Sequence, residues 1–346
     1  MSSAAEQLEG INLDKGWRVG KKLARTEAQT GGYFSCSYEV ISQDGKKAFL
    51  KALDYERALE SDDPAAAMNL LTSAYLFERE ILRECGERRM SRIVRAIDSG
   101  KTIVPGAGLT EYLIFEMADG GDIRAHLDRS GPFNLVRTLD CLHNVFLGVQ
   151  QLNQAKIAHQ DLKPSNVLVF ENQFEKLGDL GRAWHGLRQS PHDLMDCAGD
   201  QGYAPPELLY GYISPEERER RYGVDFYLLG SMVFFMFTGL RANALLFLVV
   251  DKAHHPKVWQ GTYAEVLPYL NHAFSTMIGD FRCSFSDQVL GAEVADIVSQ
   301  MCHPDIALRG DKLHVALHGS KFGLQRFISR LDRLKMQARL GRVHFP

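Results

Sequence analysis

Residues 158–168 read AHQDLKPSNVL, and after its apolar start Asp161, Lys163 and Asn166 bring a carboxylate, a cation and an amide together within six residues. Pro164 disfavours helix for the residue before it, so the three groups lie on a turn rather than on a helix face. A second acid, Asp179, follows 18 residues later in LGDLG (177–181), where flanking glycines let the chain bend around a bound group. Carboxylate and amide oxygens are hard ligands suited to magnesium, an ion that keeps waters and shares phosphate oxygens. Together these residues describe a site for a nucleotide phosphate.

Phosphoryl transfer also needs a base or orienter near the accepting hydroxyl, a cation on the nucleotide phosphates, and something to fix that cation. Asp161 suits the first role, with Lys163 to balance charge on the moving group and Asn166 with Asp179 to hold the metal. Lys51, in the run AFLK (48–51), is placed to reach the α and β phosphates, with Glu78 on the following helix as its partner.

The surrounding chain frames this constellation. From about Trp17 to Leu53, β-favouring runs at 33–34, 38–41 and 48–50 alternate with turn signals, which predicts antiparallel strands. Leu70, Leu71, Ala74, Phe77, Ile81 and Leu82 recur at helical spacing after the acidic linker 60–64. Two further strands bracket Gly100 to Gly108. Beyond Gly120-Gly121 the pattern is helical: Val136–Gln154, Val224–Thr238, Val289–Cys302 and Leu324–Leu334. The predicted fold class is α+β, with a small β-rich lobe feeding a larger helical one and a cleft between them. The expected organisation is an extension over 1–14, a small lobe over 15–117, a large lobe over 118–318 and a basic tail over 319–346.

Composition narrows the alternatives. The 346 residues are 45% hydrophobic and carry a net charge of −3, which gives no global pull toward nucleic acid or an anionic membrane. Six scattered cysteines form no C-x-x-C pair, so neither a zinc site nor a disulfide framework is indicated, and a cytoplasmic location is expected. The apolar stretch 226–250 approaches the length of a membrane span, but Arg241 near its centre and Thr238-Gly239 as a helix end favour two buried helices.

Taken together, these residues resemble a eukaryotic-type (Hanks-type) serine/threonine protein kinase over about residues 15 to 315, in a divergent form lacking the arginine before the catalytic aspartate. HQDLKPSN (159–166) resembles the catalytic loop, DLG (179–181) the metal-binding DFG, PPE (205–207) the APE motif, and Lys51 with Glu78 the strand lysine and C-helix glutamate. The resemblance implies a two-lobed protein-kinase-like fold, ATP and Mg2+ as cofactors, and a protein substrate accepting on Ser or Thr. It implies that Asp225 tethers the catalytic loop and that Arg309 pairs with Glu207. It places Phe115 as gatekeeper, Glu116 and Met117 in the adenine hinge, Asp122 at the ribose, and Leu168 and Gly32 in the nucleotide site.

Five features carry their own expectations. Only Gly32 of the glycine-rich loop is retained, with Thr30 and Ser35 in the other two places, and Phe49 stands where the family has a small residue against adenine. These losses keep open a second reading, a pseudokinase-like scaffold that binds nucleotide or partners with little transfer. Asp200 replaces a threonine facing the catalytic acid and lysine, either as a partner for Lys163 or as a turn residue. Gln160 removes the cation that a phosphate on the activation loop neutralises, and Ser190 is the one serine between Asp179 and Glu207, so activity independent of loop phosphorylation is predicted. Finally, the tail carries seven basic residues against Asp332 over 321–342. Two readings stand for it: a helix packing its apolar stripe with its cations in water, or a docking helix for an acidic partner, nucleic acid or membrane.

Overall fold

The computed structural model describes residues 2–24, 34–124, 133–170, 174–311, 313, 315 and 320–345. Five antiparallel strands form the first sheet: β1 Arg18–Lys22, β2 Ser35–Ile41, β3 Lys47–Leu53, β4 Ala96–Val104 and β5 Gly108–Glu116, in the spatial order β1-β2-β3-β5-β4. Alternation sets its two faces. Along β3, Ala48, Leu50 and Ala52 are fully buried on one face, whereas Phe49 and Lys51 lie half-buried on the other. Residues 2–19 close the rear face: Ala4, Leu8, Leu13 and Trp17 join Tyr38, Val40 and Leu50 in one apolar cluster, and the Tyr38 hydroxyl donates to Ala5 O at 2.7 Å.

A short helix, α1 Tyr55–Leu59, precedes α2 Pro64–Glu87. The acidic linker becomes the cap of α2: Asp63 accepts from Ala66 N at 3.0 Å and Pro64 occupies the first turn, where its missing N–H costs nothing. Phe77, Ile81 and Leu82 bury as predicted. Leu70, expected on the same stripe, is 36% exposed; the buried residues of α2 begin at Tyr75.

The larger lobe is built from α3 Leu135–Gln154, α4 Pro206–Leu209, α5 Val224–Thr238, α6 Ala242–Val249, α7 Tyr263–Cys283, α8 Gln288–Met301 and α9 Gln325–Arg339. Its strands are short: β6 Gly121–Asp122, β7 Ile157–Ala158, β8 Val167–Val169, β9 Glu175–Leu177 and β10 Trp184–His185, paired as β6-β8-β9 and β10-β7. Helix α5 is apolar all round and buried, and Gly239 ends it in the left-handed region at φ 73°. No single helix among the described residues is long and apolar enough to cross a membrane; the 226–250 stretch forms two arms bent by 81°.

Of the two readings of the tail, the packed helix is the one the structure shows, and the acidic partner finds no support in it. Phe327, Ile328, Leu331 and Leu334 bury as a stripe against α3 and α5, while Arg326, Arg333, Arg339 and Arg342 stay exposed. Lys321 pairs with Glu219 (2.7 Å), Arg326 with Asp311, Arg330 with Glu293 (2.9 Å) and Asp296 (2.8 Å), Arg333 with Glu293 (2.8 Å), and Lys335 with Asp140 (3.1 Å). Five of the seven basic residues therefore answer acids of this same chain.

Candidate functional site

The face of β3 opposite the rear cluster looks into the cleft between the lobes, and Lys51 is the residue it aims there. Lys51 Nζ lies 3.0 and 3.2 Å from the Glu78 carboxylate of α2 and 3.2 Å from Asp179 Oδ1 of the turn after β9. Burial works against the lysine's charge, but Asp179 and Glu78 more than offset it and hold its pKa above the ordinary value. The two acids respond in opposite directions. Lys51 keeps Asp179 below the usual carboxylate range, whereas burial pushes Glu78 up. Asp179 takes a left-handed backbone (φ 57°), so the turn points its carboxylate into the cleft.

The catalytic-loop candidates sit on the opposite wall between β7 and β8. Asn166 Nδ2 donates to Asp161 O at 2.7 Å and to Asp161 Oδ2 at 3.2 Å, which fixes the carboxylate and leaves Asn166 Oδ1 as the ligand-type atom. Lys163 Nζ stands 3.0 Å from Asp161 Oδ2 and 3.4 Å from Asp200 Oδ2. Burial raises the Asp161 pKa against the opposing pull of Lys163. Both readings of Asp200 hold at once: it pairs with Lys163 and also caps its own turn, accepting from Gly202 N at 2.8 Å.

Asp225, at the start of α5, is the buried support. Its carboxylate accepts from His159 N (2.6 Å) and Gln160 N (2.7 Å), which lets Gln160 hold a left-handed conformation at φ 65°. The Gln160 side chain turns inward and donates to Arg221 O at 2.8 Å. Arg309 and Glu207 form a buried two-pronged pair at 2.6 and 2.7 Å.

At the hinge, Phe49 sits directly across from Phe115, ring centroids 6.2 Å apart, so β3 keeps the register that presents Phe49 and Lys51 to the cleft together. The Glu116 carboxylate is engaged by Arg95 N (2.8 Å) and Lys176 (2.5 Å), and Met117 follows it into the linker. Asp122 accepts from Arg124 N at 2.9 Å and pairs with its guanidinium at 3.2 Å. Leu168 lies half-buried on β8 beside Gly178, at the floor of the cleft. Gly32 and Thr30 lie outside the described residues. The hard oxygens of Asn166 and Asp179, with Lys51 between the acids, fit a magnesium-bound polyphosphate.

Three contributors escape motif reading. His159 bridges from its ring to Gly178 O at 3.0 Å, tying the two motifs together. A Cβ on Gly199 would stand 2.2 Å from Gln160 O, so the segment before Asp200 backs onto the catalytic loop as only glycine permits. The third is the Arg221–Asp193 pair (3.2 Å); no local signal marks it, because its members are 28 residues apart.

A cleft whose walls oppose a buried lysine–glutamate pair and an amide-fixed carboxylate defines a phosphotransferase-type site. The protein kinase domain family matches residues 27–313, and the chain belongs to that family, a class of transferases. Similar proteins include G protein-coupled receptor kinase 2 of Caenorhabditis elegans, 29% identical over 126 residues (36% of this chain, 17% of the relative). Rhodopsin kinase GRK1 of Rattus norvegicus is 31% identical over 128 residues (36% and 22%), and the Aurora kinase of Saccharomyces cerevisiae 28% over 128 residues (37% and 33%). The matches thus span a third or less of these curated relatives' length.

Proposed function

We propose that this chain transfers the terminal phosphoryl group of ATP to serine or threonine hydroxyls of a protein substrate. The observation that carries the reading is Lys51 held between Glu78 and Asp179 while Asn166 fixes Asp161 across the cleft. In this reading Asp161 orients the accepting hydroxyl and takes its proton, a role favoured by a carboxyl whose pKa burial has raised. Lys163 balances charge beside it, Lys51 anchors the nucleotide phosphates, and Glu78 keeps Lys51 in place. Asn166 and Asp179 would hold Mg2+, which when bound supplies positive charge to the phosphate oxygens. Glu116 and Met117 would meet the adenine through backbone groups, Asp122 the ribose, and Leu168 the underside of the base. Serine/threonine preference follows from Lys163 two residues after Asp161, the form that resembles that branch.

Activity is independent of activation-loop phosphorylation in this reading. Ser190 is 4% exposed and its hydroxyl donates to Ala183 O at 3.1 Å, so it serves the fold as it stands. The test is transfer of labelled phosphate from ATP with magnesium to a mixed protein substrate, with wild type, Asp161→Asn and Ser190→Ala compared before and after phosphatase treatment. We expect loss of at least about a hundredfold for Asp161→Asn, and little change for Ser190→Ala or phosphatase treatment. Wild type no better than Asp161→Asn would sink the enzyme reading and leave a binding scaffold. Loss of transfer on dephosphorylation would sink the independence from phosphate alone.

A further inference from the structure

Arg221 is a buried cation, 9% exposed, on the turn before α5, and none of the roles assigned above uses it. Its guanidinium lies 5.8 Å from the centroid of the Trp184 ring. Its Nη2 donates to Asp193 Oδ1 at 3.2 Å and approaches Asp193 O at 3.4 Å, while its Nε is buried with no acceptor among the described residues. A cation removed from water needs a fixed counter-charge, and Asp193 supplies it from the segment between β10 and α4.

Each member of this pair is tied onward. The other Asp193 oxygen accepts from Ser190 N at 2.8 Å, and Ser190 in turn holds Ala183 O. On the opposite side, Arg221 O accepts the Gln160 amide at 2.8 Å, and Gln160 directly precedes Asp161. The far end of the segment reaches the same carboxylate: Asp200 N donates to Asp161 Oδ1 at 2.8 Å. A cavity of about 200 Å³ between the segment and the loop, lined by Gln160, Asp161, Asp193, Tyr203, Arg221 and Val224, is spanned by this pair.

We propose that the Arg221–Asp193 ion pair is a phosphate-free clamp that holds the segment over residues 183–200 against the catalytic loop, so that both are positioning residues for Asp161. The inference rests on the kinase reading above and deepens it. With a neutral glutamine at position 160, the cation facing the segment comes from the turn before α5, and the negative charge it meets is encoded rather than added. Charge-assisted contacts of this kind fix geometry as well as contribute stability, and a small misplacement of a reacting group lowers turnover steeply.

The experiment uses the full chain after phosphatase treatment. It compares wild type with Asp193→Asn, Arg221→Gln, Arg221→Lys and the exchanged double variant Asp193→Arg/Arg221→Asp. Asparagine at 193 keeps an acceptor for Ser190 N and removes only the charge, and melting temperatures exclude variants that fail to fold. Two readouts are taken: kcat with the KM for ATP, and the rate of chymotrypsin cleavage at Leu194, a side chain 96% exposed within the segment. Asp193→Asn and Arg221→Gln should lower kcat by about tenfold or more while the KM for ATP stays put, and should speed cleavage. Arg221→Lys and the exchanged pair should recover part of both. Wild-type kcat and cleavage in folded Asp193→Asn, or an exchanged pair no better than the single variants, would overturn the clamp. Should wild type transfer nothing, the kinase reading fails separately, and cleavage then decides: equal rates in wild type and Asp193→Asn would remove the clamp as well.

Discussion

On β3, Phe49 and Lys51 face the cleft two residues apart, and their neighbourhoods differ sharply. The lysine has two acids within 3.2 Å, whereas Phe49 meets the Phe115 ring across the strand pair. Two aromatic rings at hinge height narrow the space where a nucleotide base would lie. Phe49→Ala should therefore tighten ATP by roughly 1 kcal/mol, about a fivefold lower KM, read by steady-state kinetics or by a larger ATP-induced thermal shift. Weaker binding in the variant would mean that the ring supports the base rather than crowding it. This register was legible in the sequence because Lys51 and Phe49 are fixed relative to one another by strand alternation alone. The inward turn of Gln160 was not, since its partners Asp225 and Arg221 lie over sixty residues away.

The segment joining β10 to α4 shows how one element carries its own pH response. His192 is buried; its Nε2 lies 3.0 Å from Gly181 O and its Nδ1 lies 3.1 Å from Arg182 Nη1. An arginine can only donate, so Nδ1 accepts and the proton sits on Nε2, where it is donated to the carbonyl. Burial, with Arg182 beside it, pushes the His192 pKa down from 6.5 to about 4. The folded chain refuses a proton that the unfolded chain takes up below about 6.5, so stability contributed here is complete above that value and declines as pH falls toward 4. Urea midpoints measured at pH 7 and pH 5 should fall for wild type and fall less for His192→Gln. Equal slopes would show that the ring does not carry the effect. Element boundaries were legible where caps and periodicity agreed: α5 spans 224–238 as its apolar run and closing glycine require. The long helix α7 was not anticipated, because Pro268 interrupts its pattern, although Thr262 and Glu265 form a capping box at its start.

Across the whole molecule, segments distant in sequence complete each other's cores. Residues 2–19 cover the rear of the first sheet, with Leu8 fully buried among Tyr38, Val40 and Leu50. Leu8→Ala should cost about 2–5 kcal/mol, seen as a lower urea midpoint with an unchanged slope. A negligible loss would show that the segment merely rests on the sheet. Neither this packing nor the tail's ion pairs could be read from local pattern, since the acids that answer the tail, Asp140, Glu293 and Asp311, carry no mark of their partners. The two-lobed plan and the cleft residues were legible because motif order and periodicity are local properties.

The tail has a further consequence for how the chain acquires its shape. Lys335 reaches back 195 residues to Asp140 on α3, and Phe327 closes edge-on over Phe226 of α5. A polypeptide is made from its N-terminus, so α3 and α5 are complete long before α9 exists, with apolar faces that nothing yet covers. The larger lobe therefore closes late in synthesis, and during that interval it depends on staying clear of other exposed surfaces.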